Sequence, residues 1–265
     1  MKNKLWLIVL IVSLAAVVVS GINVFRLSRE YQKGINEYQQ LESYASVKEE
    51  APVQEESTEA EETEEESLIP VSVDIQYDEL KKINEDFAGW LYYEPLDISY
   101  PIVRGNDNDY YTHYTFEGEK NSSGAIFMDF LNKTDCSDYN TIVYGHNMRN
   151  GSMFQNLHKF EDEAFFKKHK EVYVYTPKKT YTYTIFAAYK FDDRHLLKTF
   201  NFKNKKKFEN YLRNVKNIRD MGSHVRKDQE VTSNDKIITL STCVGGQPNN
   251  RYLVQAVLTD ERSTK

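Results

Sequence analysis

A mainly β domain, a barrel or sandwich carrying helical insertions, is the fold class the sequence predicts. Three observations predict it. The chain is rich in aromatics, with 19 Tyr and 14 Phe, and such residues fit a pleated, half-buried surface better than a helical bundle. Short apolar or alternating runs recur, bounded by Gly, Pro, Asn and Asp. Only a few segments carry helical spacing.

The strand expectations fall on residues 98–103 (ISYPIV), 125–128 (AIFM), 141–144 (TIVY), 171–175 (EVYVY), 181–191 (YTYTIFAAYKF), 236–242 and 252–258. The fifth of these has the clearest period of two. Helices are expected at residues 77–87, where Leu80, Ile83 and Phe87 share a face and Gly89 follows as a stop. Two short helices are expected at 152–160 and 163–170. A long amphipathic helix is expected at 203–221, with Phe208, Leu212, Val215 and Ile218 on one side. Many strands with few helices read as a barrel or sandwich with helical insertions.

Ahead of this domain the composition changes twice. Residues 5–24 are twenty mostly apolar positions without a charge, enough at about 1.5 Å per residue to span roughly 30 Å of hydrocarbon. Lys2 and Lys4 precede them, which favours a cytoplasmic N-terminus. We read residues 1–25 as a membrane anchor. The alternative is a cleaved signal peptide ending at the Val-Val-Ser before Gly21. Both put the rest of the chain outside the cytoplasm. Residues 27–44 have helical character, and residues 49–66 hold ten glutamates and no basic residue. Like charge at low hydrophobicity cannot build a core, so residues 26–70 read as a helical and acidic stalk and 71–265 as the folded domain.

The net charge of −6 therefore belongs to the stalk; without those glutamates the remainder is slightly basic. The densest basic cluster, residues 203–207, opens a helix and reads as a solvated face. Nucleic acid is not an expected partner. Two cysteines, Cys136 and Cys243, are too few for a disulfide-framed secreted fold. No paired Cys or His spacing makes a metal site, and no cofactor is expected.

Three segments carry candidate chemistry. Residues 236–251 read KIITLSTCVGGQPNNR. Strand alternation puts Thr239, Ser241 and Cys243 on one face and Ile238 and Leu240 on the other. A cysteine at a strand end, on a polar face and beside a Gly-Gly turn, suits a reactive thiol, although most free cysteines are small buried hydrophobes. Gly145-His146-Asn147 follows the apolar strand TIVY, where a histidine can enter a cleft. Arg251 opens the strand RYLVQAVL. Burying it unpaired is costly, and meeting an anion at a cleft edge is not.

Together these segments resemble the sortase family. Thr239-Leu240-Ser241-Thr242-Cys243 is similar to its Thr-Leu-x-Thr-Cys signature. His146 after an apolar strand and Arg251 one loop beyond the cysteine follow the family's order. The long helix before the cysteine strand and the helix ahead of the barrel resemble class B members. The resemblance implies a mixed β-barrel and a cysteine transpeptidase at the membrane of a Gram-positive cell. It implies Cys243 as nucleophile, His146 as its acid/base partner and Arg251 as charge stabiliser, with Ser241 and Thr242 shaping the pocket. Its implied partners are surface proteins with a C-terminal sorting signal, cut after threonine through a thioester, and an amine of the peptidoglycan precursor. A free thiol titrates near 8.5 and a free imidazole near 6.5, about two units in the wrong order for a thiolate–imidazolium pair; slow turnover is the expectation. Asn147 is adjacent to His146 and is not read as its orienting group. Cys136 reads as an incidental loop residue, and a Cys136–Cys243 disulfide would silence the site. A cell-wall cysteine hydrolase and a non-catalytic anchored binding domain are the alternatives.

Overall fold

The computed structural model describes residues 2–48 and 72–264. The acidic run of the expected stalk lies outside them. Eight strands close into a barrel in the order β11-β10-β6-β5-β4-β3-β7-β8, with β8 pairing back onto β11. They are β3 (Phe87–Tyr93), β4 (Ile98–Val103), β5 (Ile126–Met128), β6 (Asn140–Tyr144), β7 (Glu171–Tyr175), β8 (Lys179–Asp192), β10 (Ile237–Val244) and β11 (Gln247–Ser263). Short β9 (His224–Val225) pairs with β8 at Ala187 and Ala188, past the stretch that β7 takes. Most pairings are antiparallel; β4 with β5 and β6 with β10 are parallel. β8 and β11 run together from Asn250↔Asp192 to Ser263↔Lys179 and close the ring of eight.

Two apolar clusters follow from strand alternation. Trp90, Tyr183, Ile238, Leu240, Tyr252 and Val254 fill the barrel. Ile142, Phe186, Tyr189, Ile237 and Leu253 belong to a second cluster with the insertion between β8 and β9. That insertion holds α5 (Leu196–Thr199) and α6 (Lys205–Lys216). Helix α6 buries Phe208, Tyr211, Leu212 and Val215, the 3–4 spacing of one face. It is shorter at both ends than the pattern predicts. Asn204 caps it by accepting the Lys207 N–H at 3.0 Å, and it stops at Asn217.

The other expected helices also differ. Helix α2 (Tyr77–Ile83) ends where Asn84 turns extended and its Oδ1 takes the Asp86 N–H. Phe87 then starts β3, a strand the apolar spacing concealed. Gly89 is no helix stop; it lies inside β3, where a Cβ would come 2.5 Å from the Tyr175 carbonyl oxygen. The segment expected as a helix at 152–160 is a 3₁₀ helix, Gln155–Glu161, followed by α4 (Glu163–Lys168). A one-turn helix, α3 (Tyr110–His113), precedes β5.

Helix α1 (Lys2–Glu42) is continuous. One stretch of it is long and apolar enough to cross a membrane, and Leu10 and Val17 there are about two-thirds exposed. Its last turns, read from sequence as part of a stalk, lie against the barrel. Tyr38 and Leu41 are buried. The Tyr38 hydroxyl donates to the Gly124 carbonyl at 2.7 Å, and its ring meets Tyr100 edge-on at 5.4 Å. Asn121 Nδ2 donates to the Glu30 carbonyl at 2.8 Å, and Glu37 accepts the Glu117 N–H at 3.0 Å. Beyond α1, β1 (Ala45–Lys48) pairs with β2 (Ser72–Ile75).

These contacts make the end of α1 part of the folded unit. Tyr38→Ala removes a buried ring and its hydroxyl bond, at a cost of about 3–5 kcal/mol. Hydrogen exchange measures the result: amides of residues 30–42 lose protection while β8 and β11 keep theirs. Equal loss in all three places the docking inside the global unfolding unit instead.

Candidate active site

The parallel β6–β10 pair builds the site. Its register ends at Tyr144↔Ser241, and the Gly145 N–H adds one more bond to the Ser241 carbonyl at 3.1 Å. Because the strands are parallel, His146 and Cys243 leave the sheet at the same end. Cys243 is also the register partner of Arg251 on β11, and Arg251 in turn faces Phe191 of β8. His146, Cys243 and Arg251 line one cavity of about 250 Å³, together with Ser241, Thr242 and Thr112.

The β10 alternation is as the sequence predicts. Ile238 and Leu240 fill the barrel. Thr239 faces outward into a buried polar network. Its hydroxyl donates to Asn140 Oδ1 at 2.9 Å and accepts from Gln255 Nε2 at 2.9 Å. Gln255 also bonds Tyr211 of α6 at 2.7 Å and Tyr189 at 3.1 Å. Cys243 shares this polar face, and unlike its neighbours it is exposed. Ser241 and Thr242 are 3% and 2% exposed, so they line the cavity with little surface. Thr242 alternates with Cys243, and its Oγ1 is buried without a hydrogen-bond partner among the described residues.

His146 is seated by backbone rather than by a carboxylate. Its Nε2 lies 2.7 Å from the carbonyl of Thr112 in α3. A carbonyl only accepts, so Nε2 carries a proton and Nδ1 is the atom left to exchange one. Two glycines make room. A Cβ at Gly145 would come 2.5 Å from Ile126 Cδ1 and 2.7 Å from the Phe154 ring. Gly124, at φ +53, would press a Cβ 3.1 Å from the imidazole Cδ2. Gly124 is also the residue whose carbonyl holds Tyr38 of α1.

Arg251 Nη1 donates to the carbonyls of Pro248 and Asn250, at 2.9 and 3.1 Å. No carboxylate lies within ion-pair distance of it among the described residues. These bonds orient the guanidinium and leave its charge uncompensated beside the cavity.

Sequence reasoning missed the far wall. Asp129, fully buried, accepts from Tyr144 at 2.9 Å and Asn108 at 3.0 Å, and pairs with His195 at 3.1 Å. Burial, and then the neighbouring Asp129 charge, push the Tyr144 phenol up, so it stays a neutral donor. Asn147 points away from His146 and donates to the Cys243 carbonyl at 2.8 Å. His158, inside the segment expected as a short helix at 152–160, lies 3.0 Å from the same carbonyl. No local pattern in sequence signals these residues, because each partner comes from a distant segment.

Cys136 is a core residue, 1% exposed, rather than an incidental one. Burial pushes its thiol up to about 12, against a weaker downward pull from a bond with Tyr183. The Tyr183-to-Phe191 stretch of β8 separates Cys136 from the Cys243–Arg251 pair. Eight residues at about 3.3 Å make roughly 26 Å, far beyond disulfide reach, so the two thiols cannot bridge within one chain.

The family model described as Sortase domain matches residues 91–259. The chain is 40% identical over 166 residues to sortase B of Listeria monocytogenes, covering 62% of this chain and 65% of that protein, just under two thirds of its length. It is similar to the crystal structure of Clostridium perfringens sortase B, with 37% identity and a TM-score of 0.64, covering 70% of this chain and 100% of that one. It is also similar to Bacillus anthracis sortase B in complex with AAEK1, with 28% identity and a TM-score of 0.70, covering 88% and 100%.

The two thiols differ enough to be told apart chemically. Iodoacetamide on the native chain adds one group, at Cys243, from neutral pH upward. The raised value of Cys136 means that its thiolate appears only as the pH approaches 12, whereas an unfolded thiol ionises near 8.5. A second adduct is therefore expected only above about pH 10 or after denaturation. Mass spectrometry of the intact chain reads the count; two adducts at pH 7.5 contradict the buried placement.

Proposed function

This chain belongs to the sortase family, in its class B branch, and on that premise we propose a membrane-anchored cysteine transpeptidase. It cuts a sorting signal after threonine and joins the surface protein to a cell-wall amine. The observation that carries this reading is the convergence of His146, Cys243 and Arg251, from three separate segments, on one cavity. The apolar helix α1 supports an anchor that leaves the barrel outside the cell.

In this reading the Cys243 thiolate attacks the threonine carbonyl, and the C=O electron pair moves to oxygen. Arg251, with its permanent charge and no carboxylate partner among the described residues, stabilises that oxyanion. The C–N bond breaks as His146 gives its Nδ1 proton to the leaving amine, and a thioester to Cys243 remains. The incoming amine attacks the thioester, and His146 takes up the proton this releases. The thiolate leaves and the original state is restored. The bond from Nε2 to the Thr112 carbonyl holds the ring through both transfers. Ser241 and Thr242 brace the strand under the thiol.

The test uses the full chain in detergent micelles, quenched sorting-signal peptides, and small amines. Native enzyme is expected to cleave after threonine and incorporate the amine. Cys243→Ala and His146→Ala abolish both. Arg251→Lys loses about 10²–10³ in kcat, because lysine lacks the planar fork. Cleavage without amine incorporation supports a hydrolase instead, and cleavage that survives Cys243→Ala refutes the assignment.

A further inference from the structure

Strand β6 stops pairing with β10 after the Gly145–Ser241 bond. The next carbonyl on that edge of β10 belongs to Cys243, since alternate residues present their carbonyls to the same neighbour. No strand among the described residues meets it, and β10 also shifts register against β11 between Cys243 and Val244. Two side chains take the place of the ladder. Asn147 Nδ2 lies 2.8 Å and His158 Nε2 3.0 Å from the Cys243 oxygen. His158 Nδ1 lies 2.8 Å from Glu161 Oε1, with the His158 side chain 19% exposed.

Each ring nitrogen of His158 thus faces an atom that only accepts, and Nε2 also faces a donor, the Asn147 amide. A neutral imidazole has one N–H and serves one of them; an imidazolium serves both. The neutral ring keeps the Glu161 bond and takes the Asn147 amide, 3.1 Å away, on its Nε2 lone pair. The groups around the ring are Glu161 on its own segment, Asn147 after β6, the Cys243 carbonyl of β10 and Tyr252 of β11. The Tyr252 ring lies 5.0 Å from the imidazole centroid, and burial keeps that phenol neutral. From β9, His224 bonds the backbone carbonyl of Glu161 at 3.0 Å and fixes the segment.

We infer that His158, held by Glu161, is a positioning residue for Cys243: as an imidazolium it pins the carbonyl of the nucleophile's own residue and adds positive charge beside the thiol. Pinning that carbonyl where the register breaks fixes the direction of the Cys243 side chain. An imidazolium 3.0 Å from that carbonyl favours the thiolate over the thiol. His158 meets the Cys243 carbonyl from outside the cavity that His146 lines, so it tunes the nucleophile without touching substrate. The inference rests on the reading of Cys243 as nucleophile.

Alkylation of Cys243 in the full chain, followed from pH 5 to 10, separates this role from a structural one. His158→Ala is expected to move the profile to higher pH and lower peptide-cleavage kcat roughly tenfold, the effect of one charge-assisted hydrogen bond, with KM unchanged. His158→Gln restores a neutral donor to the carbonyl, so it recovers part of kcat while the alkylation profile stays displaced. Glu161→Gln displaces the profile in the same direction by less. An alkylation profile that matches native in His158→Gln and Glu161→Gln overturns the inference, even if His158→Ala fails to fold. Because alkylation needs no peptide substrate, this outcome is distinct from failure of the transpeptidase reading, which Cys243→Ala reports through peptide cleavage.

Discussion

The site depends on one pairing: two short strands, with side chains bonded between residues 99 apart in sequence, run parallel. Parallel pairing forces both strands to end on the same side of the barrel, so whatever follows β6 and whatever ends β10 must meet. An antiparallel pairing of the same segments would send His146 and Cys243 to opposite ends of the sheet. The hairpin from β10 to β11 adds Arg251 by register alone. The long β8–β11 pairing then closes the ring and fixes the third wall.

Around that pair the structure keeps a polar stripe inside a fold that is otherwise densely apolar. Thr239, Gln255, Tyr211 and Tyr189 satisfy one another beneath α6. This is why the outward face of a buried strand can stay polar up to Cys243: the Thr239, Gln255, Tyr211 and Tyr189 side chains partner one another, and leaving them unpaired would be costly. The same principle acts at the strand end, where the side-chain amide of Asn147 replaces a missing backbone donor. Elements far from the chemistry also support it. The Tyr38 hydroxyl holds the carbonyl of Gly124, whose missing side chain leaves room for the His146 ring. The end of α1 is thereby linked to the imidazole through one residue.

The fold was legible where patterns are local. Strands β4 and β7 match the expected segments at both ends, because an apolar or alternating run bounded by turn residues needs no context. Strand β3 was not legible. Phe87 completes a helical spacing with Leu80 and Ile83, and only the turn at Asn84 breaks it. Likewise Cys136 sits among polar neighbours in sequence, yet the chain turns through φ +51 there and buries the thiol.

From the sequence alone come the chemistry-bearing residue types, their order along the chain, the alternation that puts Cys243 on the face of Thr239, and the apolar N-terminal segment. All of these are properties of neighbours within a few positions. The tertiary structure alone decides that Nε2 of His146 meets a backbone carbonyl, that Asp129 ties the far wall together, and that His158 meets the carbonyl of Cys243. Those contacts join segments whose separation in sequence carries no trace of their distance in space, and only the closure of the barrel brings them together.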